Sequence, residues 1–242
     1  MQGWIDEIKS QFILNFIDDN RWRFIIDGLI VTIRVTLFAL LFGIIIGVIV
    51  AIIRSTYDKN IDKMRRGPGR LLLIIVNKIC VIYLTVIRGT PVVVQLLIFY
   101  FVIFVNIGSG EVIGIIAFSI NAGAYIAEIF RSGIMSVDNG QFEAGRSLGF
   151  SYVQTMRYII IPQAFKNILP TLANEFIVLL KETSVLGFIG VQDLTRGGWL
   201  ISGRTYSPFM PLIAVALIYL GFVMLIAWLV GKLERRLRAS ER

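Results

Sequence analysis

Apolar residues in this chain come in long runs rather than on one face of a helix. The runs cover about 25–53, 71–87, 91–107, 112–135, 163–190 and 209–231, with short polar segments between them. About 20 consecutive apolar residues let a helix cross a hydrocarbon core of about 30 Å. The pattern therefore predicts an all-α integral membrane protein. Gly43, Gly47 and Ala51 recur every four residues in the first run, a small-residue face that admits another helix at close range. Ser119, Gly123 and Ala127 make a similar track in the run at 112–135.

One interruption has its own helical grammar. Between 138 and 161, Asp138 precedes Gln141 by three residues and Ser151 precedes Gln154 by three, the spacing of capping boxes that open helices. Gly149 stands where the first short helix must stop, because glycine accepts the left-handed conformation common at helix ends. The segment is thus expected to be a polar helix-turn-helix. Ala144 and Gly145 remove bulk from its first helix, which suits close approach by the groove of a soluble partner. The plain alternative is a cytosolic loop that happens to contain turns of helix.

Charge orients the runs. Residues 54–70 carry Arg54, Lys59, Lys63, Arg65, Arg66 and Arg70 against Asp58 and Asp62, and the tail carries Lys232, Arg235, Arg236, Arg238 and Arg242 against Glu234 and Glu241. Basic loops face the cytoplasm. An even number of crossings must then separate the two segments, and 91–107, 112–135, 163–190 and 209–231 supply four. The run at 71–87, which contains Lys78 and ends at Arg88, is therefore expected to lie along or dip into the cytoplasmic face. Five crossings result, the first at about 25–53, with the N terminus outside and the C terminus cytoplasmic. Residues 1–24 are expected to form an interfacial helix rather than a cleaved signal peptide, since no basic start precedes a short apolar core. No internal repeat or second domain stands out in 1–242.

Composition agrees with a bilayer location. Hydrophobic residues make up 56% of the chain and the mean hydropathy is +0.77, too apolar for a water-soluble domain. The formal net charge of +8 could suggest nucleic acid, but the basic residues cluster beside apolar runs, as membrane loops do. The single cysteine, Cys80, allows no intrachain disulfide, and the absence of histidine removes imidazole catalysis and the commonest metal ligand. Neither a catalytic residue nor a metal site is expected. No Gly-x4-Gly-Lys-Ser/Thr phosphate loop occurs, so ATP has no site of that kind here.

Polar residues inside the runs are candidates for a substrate pathway, because a bilayer tolerates them only where they face protein or water. Gln95 lies several residues into one run, Asn121 and Tyr125 are one turn apart in another, and Glu128 is three residues from Arg131, with which it can simply pair. The run at 163–190 holds Asn174, Glu175, Lys181, Glu182, Thr183 and Ser184. Lys181 or the hydroxyls could meet a carboxylate, and Glu175 or Glu182 an ammonium. Alternatively, Lys181 and Glu182 neutralise charges at a subunit seam.

The sequence Glu143-Ala144-Gly145, then Gly149, then Ile159, Ile160, Ile161 and Pro162 resembles the EAA loop of membrane subunits of ABC importers. Arg88-Gly89-Thr90-Pro91 with Gln95, Tyr125-Ile126-Ala127-Glu128 with Arg131, and Asn174-Glu175-Phe176 leading to Lys181-Glu182-Thr183-Ser184 are similar to the polar amino acid subgroup. Gly145 in place of alanine and Ile161 in place of leucine depart from the loop's commonest form. The resemblance implies the type I importer permease fold, with Glu143, Ala144, Gly145, Ser147, Leu148 and Gly149 coupling to a cytoplasmic ABC ATPase that holds the ATP and Mg. It also implies a second permease subunit, identical or not, an extracytoplasmic amino-acid-binding protein, alternating access, and a bacterial or archaeal cell membrane. A secondary transporter, usually built from related halves, and a membrane-embedded enzyme, which needs a nucleophile or acid–base cluster, fit the residues less well.

Overall fold

The computed structural model describes residues 2–239. Glu241 and Arg242, counted above in the basic tail, lie outside the described residues, as do the side chains of Lys63 and Arg238. Ten α-helices follow one another among the described residues: α1 (Gln2–Phe12), α2 (Trp22–Asn60), α3 (Pro68–Gly89), α4 (Val92–Ile98), α5 (Gly110–Met135), α6 (Asn139–Ser147), α7 (Tyr152–Thr155), α8 (Ile161–Glu182), α9 (Leu194–Thr205) and α10 (Phe209–Ala239). No strand occurs among them. The chain divides into two compact units.

The first unit comprises 1–39, 92–118 and 177–228. Its core gathers Ile25, Leu194, Ile201 and Val215. Two glycines set how closely α2 and α9 pack: a Cβ on Gly28 would lie 2.4 Å from the Asp193 carbonyl oxygen, and one on Gly197 would lie 2.3 Å from that of Phe24. Asp193 caps α9 by accepting from the backbone N–H groups of Thr195 and Arg196 at 3.2 and 3.1 Å, and the Leu194 N–H donates to the buried Thr32 hydroxyl at 3.0 Å. Burial pushes the Asp193 carboxyl up to about 6, against the pull of those backbone donors. The turn before α2 uses Asp19 and Asn20 in the left-handed region, with φ of 52° and 53°. Asn and Asp tolerate it better than most residues. Buried Asn15 ties this N-terminal segment to the end of α9, accepting from the Thr205 hydroxyl at 2.8 Å and donating to Ser207 at 3.2 Å.

The second unit comprises 40–91, 119–176 and 229–242. One core cluster joins Val50, Cys80, Leu84, Ala124 and Ala127 from α2, α3 and α5, and another joins Ile134, Val137, Ile160, Ala164 and Ile168. The small-residue faces read from the sequence meet here. A Cβ on Gly47 would come 2.6 Å from Ile126, and one on Gly123 would come 2.9 Å from Ile46, so α2 and α5 pack at the closest range a helix pair allows. Both tracks are used within the chain.

Two runs form helices of other lengths than expected. The run at 71–87, expected to lie along the cytoplasmic face, forms α3, a 22-residue helix long and apolar enough to cross a membrane, as are α2, α5 and α10. At 1.5 Å per residue it is about 33 Å long. Of the charges that argued against a crossing, Arg88 forms an ion pair with Glu128, and Lys78 lies at an exposed position. The run at 91–107, expected to cross, forms α4 and a π turn over Phe99–Ile103. Together these reach only about 18 Å. The expected span 163–190 divides into α8 and the tight turns of Thr183–Ile189. With 22 residues α8 has the length of α3, while Lys166, Glu175, Lys181 and Glu182 dilute its apolar character.

Candidate functional site

The polar insert is a preformed surface. Asp138 caps α6 by accepting from the Gly140 N–H at 2.6 Å. The reciprocal arm expected from Gln141 is absent, because that side chain accepts from Gln163 at 3.1 Å instead. The Ser151–Gln154 box forms in full, with bonds of 2.8 and 3.3 Å. Gly149 takes φ +80° and lets the chain reverse, while the Phe150 N–H returns to the Gly145 carbonyl at 3.0 Å. This is the six-to-one closure of a helix C terminus.

Gly145 faces into the loop. It is buried, and a Cβ there would come 2.7 Å from Thr155 and 3.1 Å from Ile159. It makes room inside the loop for the second arm. Thr155 itself is only 1% exposed. What the loop does present outward is Glu143, Ala144, Ser147 and Gly149, together with Leu148 at 71% exposure and Val153 at 70%. The Ser147 hydroxyl is turned back to the Glu143 carbonyl at 3.0 Å. Beside these residues opens a pocket of about 500 Å³ lined by Lys59, Phe142, Glu143, Arg146, Phe150 and Tyr152, among others. The Lys59 ammonium sits 3.1 Å over the Phe142 ring. Lys59 and Asn60, at the end of α2, thus belong to the same surface. The separation of more than 80 positions between Lys59 and Glu143 hides this in the sequence.

The candidate pathway residues fall in both units. In the second, the pairing of Glu128 with Arg131 is present at 2.6 Å, and two further members extend it. Arg131 reaches Asp58 of α2 at 3.5 Å, and Arg88 of α3 approaches Glu128 at 3.7 Å while lying 5.6 Å from the Tyr125 ring. The result is an alternating chain Arg88, Glu128, Arg131, Asp58. Sequence reasoning noted Arg88 as part of a motif without assigning it to the pathway. Its position beside Thr90 and Pro91, where α3 ends, was the available signal. Asn121 is buried in α5, Asn174 is exposed and Glu175 half-buried on α8.

In the first unit, Gln95 is buried in α4. Lys181 is exposed and Glu182 half-buried, and no ion pair between them exists among the described residues. The buried Thr183 hydroxyl is satisfied by the Leu180 carbonyl at 2.7 Å, a helix-end role. Ser184 lines a smaller pocket of about 260 Å³ with Phe188, Thr195, Arg196 and Trp199. No group of three or more metal-ligating side chains occurs among the described residues.

Long apolar helices, four of them long and apolar enough to cross a membrane, interrupted by a capped polar helix pair, define a membrane-protein chain. The comparisons give that class a family. Residues 69–239 match the family described as "Binding-protein-dependent transport system inner membrane component", and the chain belongs to it. Among its relatives, the putative glutamine transport system permease protein GlnP of Rickettsia bellii is 42% identical over 161 residues, covering 65% of this chain and 74% of that protein. The arginine transport system permease protein ArtQ of Bacillus subtilis is 38% identical over 168 residues, covering 66% of this chain and 74% of that one. A crystal structure of an amino acid ABC transporter with histidines contains a chain that superposes with a TM-score of 0.78 at 39% identity, over 91% of this chain and 98% of that one. The chain is accordingly a permease subunit of amino acid ABC transport, with ATP hydrolysis assigned to a separate subunit.

Proposed function

We propose that this chain lines the route by which a polar amino acid crosses the cell membrane and that α6 and α7 transmit the work of a cytoplasmic ABC ATPase to it. The observation that carries the reading is the loop between α5 and α8: it is rigidly capped, exposes Leu148 and Val153, and leaves Glu143 and Arg146 without an intrachain ion pair among the described residues. Exposed apolar residues rimmed by unpaired charges mark an interaction surface. Glutamine and arginine are the substrates that the relatives' names suggest. ATP and Mg then belong to the ATPase, and an extracytoplasmic binding protein delivers the amino acid to a dimer of permease subunits. With α3 crossing in place of 91–107, four helices (α3, α5, α8 and α10) still separate the basic segment 54–70 from the basic tail, which supports an outer N terminus and a cytoplasmic C terminus.

The test is ATPase activity of the chain in lipid nanodiscs with its candidate ATPase and binding protein, with each amino acid supplied in turn. Stimulation by glutamine or arginine is the expected result. A stable complex that no amino acid stimulates would overturn the substrate assignment, and failure of any ATPase to bind would overturn the coupling role.

A further inference from the structure

We propose that Arg88 receives the carboxylate of the transported amino acid and that the ion pairs running from it through Glu128 and Arg131 to Asp58 report its arrival to the coupling surface, an inference that rests on the importer reading above.

The four members are not equally committed. Glu128 is held by Arg131 through a 2.6 Å bond from Nη2 and a longer one of 3.5 Å from Nε. Arg88 stands off at 3.7 Å, and its side chain is 42% exposed, the most open of the four. Its other neighbour is the Tyr125 ring, which attracts the cation but accepts no bidentate hydrogen bond. The guanidinium fork is therefore free to take a planar carboxylate on two parallel N–H groups. The charge balance favours that anion. Arg54, close enough to act on Glu128, donates to the Asn77 amide at 3.0 Å and not to an acid, so three arginines share two carboxylates. A cluster with one surplus positive charge, set among apolar helices, gains from an incoming anion.

Binding would redistribute the pairs. A ligand carboxylate that occupies Arg88 leaves Glu128 to Arg131 alone, which strengthens that pair and weakens the 3.5 Å contact from Arg131 to Asp58. Asp58 immediately precedes Lys59 and Asn60, which line the pocket shared with Glu143 and Arg146. An acid released there faces Lys59 at the edge of the coupling loop. The pathway and the loop are thus joined by alternating charges on three helices, the last of them Asp58 at the end of α2.

The experiment uses the permease–ATPase complex in nanodiscs without binding protein and follows ligand binding by saturation-transfer NMR. The probes are arginine, glutamine and their α-carboxamides, which lack only the α-carboxylate charge. At least one of the two amino acids is expected to bind, and its amide about tenfold more weakly, the size of one charge-assisted contact. Arg88→Gln should bring the acid down to the level of the amide without changing amide binding, and Arg88→Lys should fall between. Asp58→Asn should still bind the acid at least as tightly as the wild type and in preference to its amide, yet lose most of the amino-acid stimulation of ATPase measured with binding protein present, with Asp58→Glu restoring it. Equal binding of acid and amide by the wild type, or of the acid by wild type and Arg88→Gln, overturns the Arg88 assignment, and full stimulation in Asp58→Asn overturns the relay. The acid–amide comparison needs no variant to fold. In proteoliposomes of the same complex with binding protein, ATP-driven uptake without acid–amide discrimination in the binding assay sinks this inference alone, whereas no ATP-driven uptake sinks the importer reading and this one with it.

Discussion

Glu143 and Gly145, two residues apart on α6, separate docking from folding. Glu143 points outward and unpaired, so Glu143→Lys should leave the chain in the membrane and lower substrate-stimulated ATPase activity, read by comparing membrane yield with coupled turnover. Gly145→Val should instead destabilise the loop by about 1–3 kcal/mol, since the added carbons meet Thr155 and Ile159, and thermal unfolding in detergent would register it. The sequence placed both in one motif and assigned both to the partner. It could not separate them, because the contact that buries Gly145 comes from residues ten and more positions later, across a turn whose geometry is not written in residue type. Asp193 makes a residue-scale case of another kind. With its carboxyl raised to about 6 from an ordinary value of 3.8, the folded state holds the proton more tightly than the unfolded one. Its contribution is fully present below about pH 4 and is lost as pH rises through 6, up to about 3 kcal/mol in all. Asp193→Asn keeps an acceptor for the end of α9 and should flatten that part of the pH–stability curve. An unchanged drop between pH 5 and 7.5 would assign it to another group.

At the scale of helices, close packing was the most legible feature. Gly43, Gly47 and Gly123 were read as contact faces, and they meet at the α2–α5 interface. The Gly28 and Gly197 contacts were not read, because neither glycine recurs at a four-residue spacing with other small residues around it. At both sites the atoms the Cβ would strike are backbone, which no rotamer change can move aside. Gly28→Ala should therefore lower the melting temperature more than Ala substitution at Gly221, where nothing lies within 4 Å of the added carbon. Equal losses would mean that helix propensity and not packing governs both sites. The exchange of roles between 71–87 and 91–107 has a related cause. Mean apolarity rated the two runs alike, and the charges at Lys78 and Arg88 tipped the reading, but an arginine that finds a glutamate across a helix interface no longer forbids a crossing.

Across the whole chain, the class of protein was plain from the runs, the composition and the loop spacing, whereas the connections between distant segments were not. The 54–70 segment was read only as a topological signal, yet its Lys59 borders the pocket beside the polar loop and its Asp58 ends the ion-pair chain. Topology itself has a direct check. In a variant without Cys80, single cysteines placed at the exposed Gly67 and Ser136 should react with an impermeant maleimide only from the cytoplasmic side, and one at Ser10 only from outside. Labelling of Ser10 and Ser136 from the same side would reverse or break the proposed arrangement.

Cys80 is the one thiol in the chain and is 6% exposed, held among Val50, Leu84, Ala124 and Ala127. Nature has therefore built a silent reporter into the seam where α3 meets α2 and α5. While that seam is shut the sulfur is out of reach, and each excursion that parts the helices exposes it to a thiol reagent. The rate of modification of the unaltered protein, with and without nucleotide and substrate, would time the opening of the second unit with no label introduced.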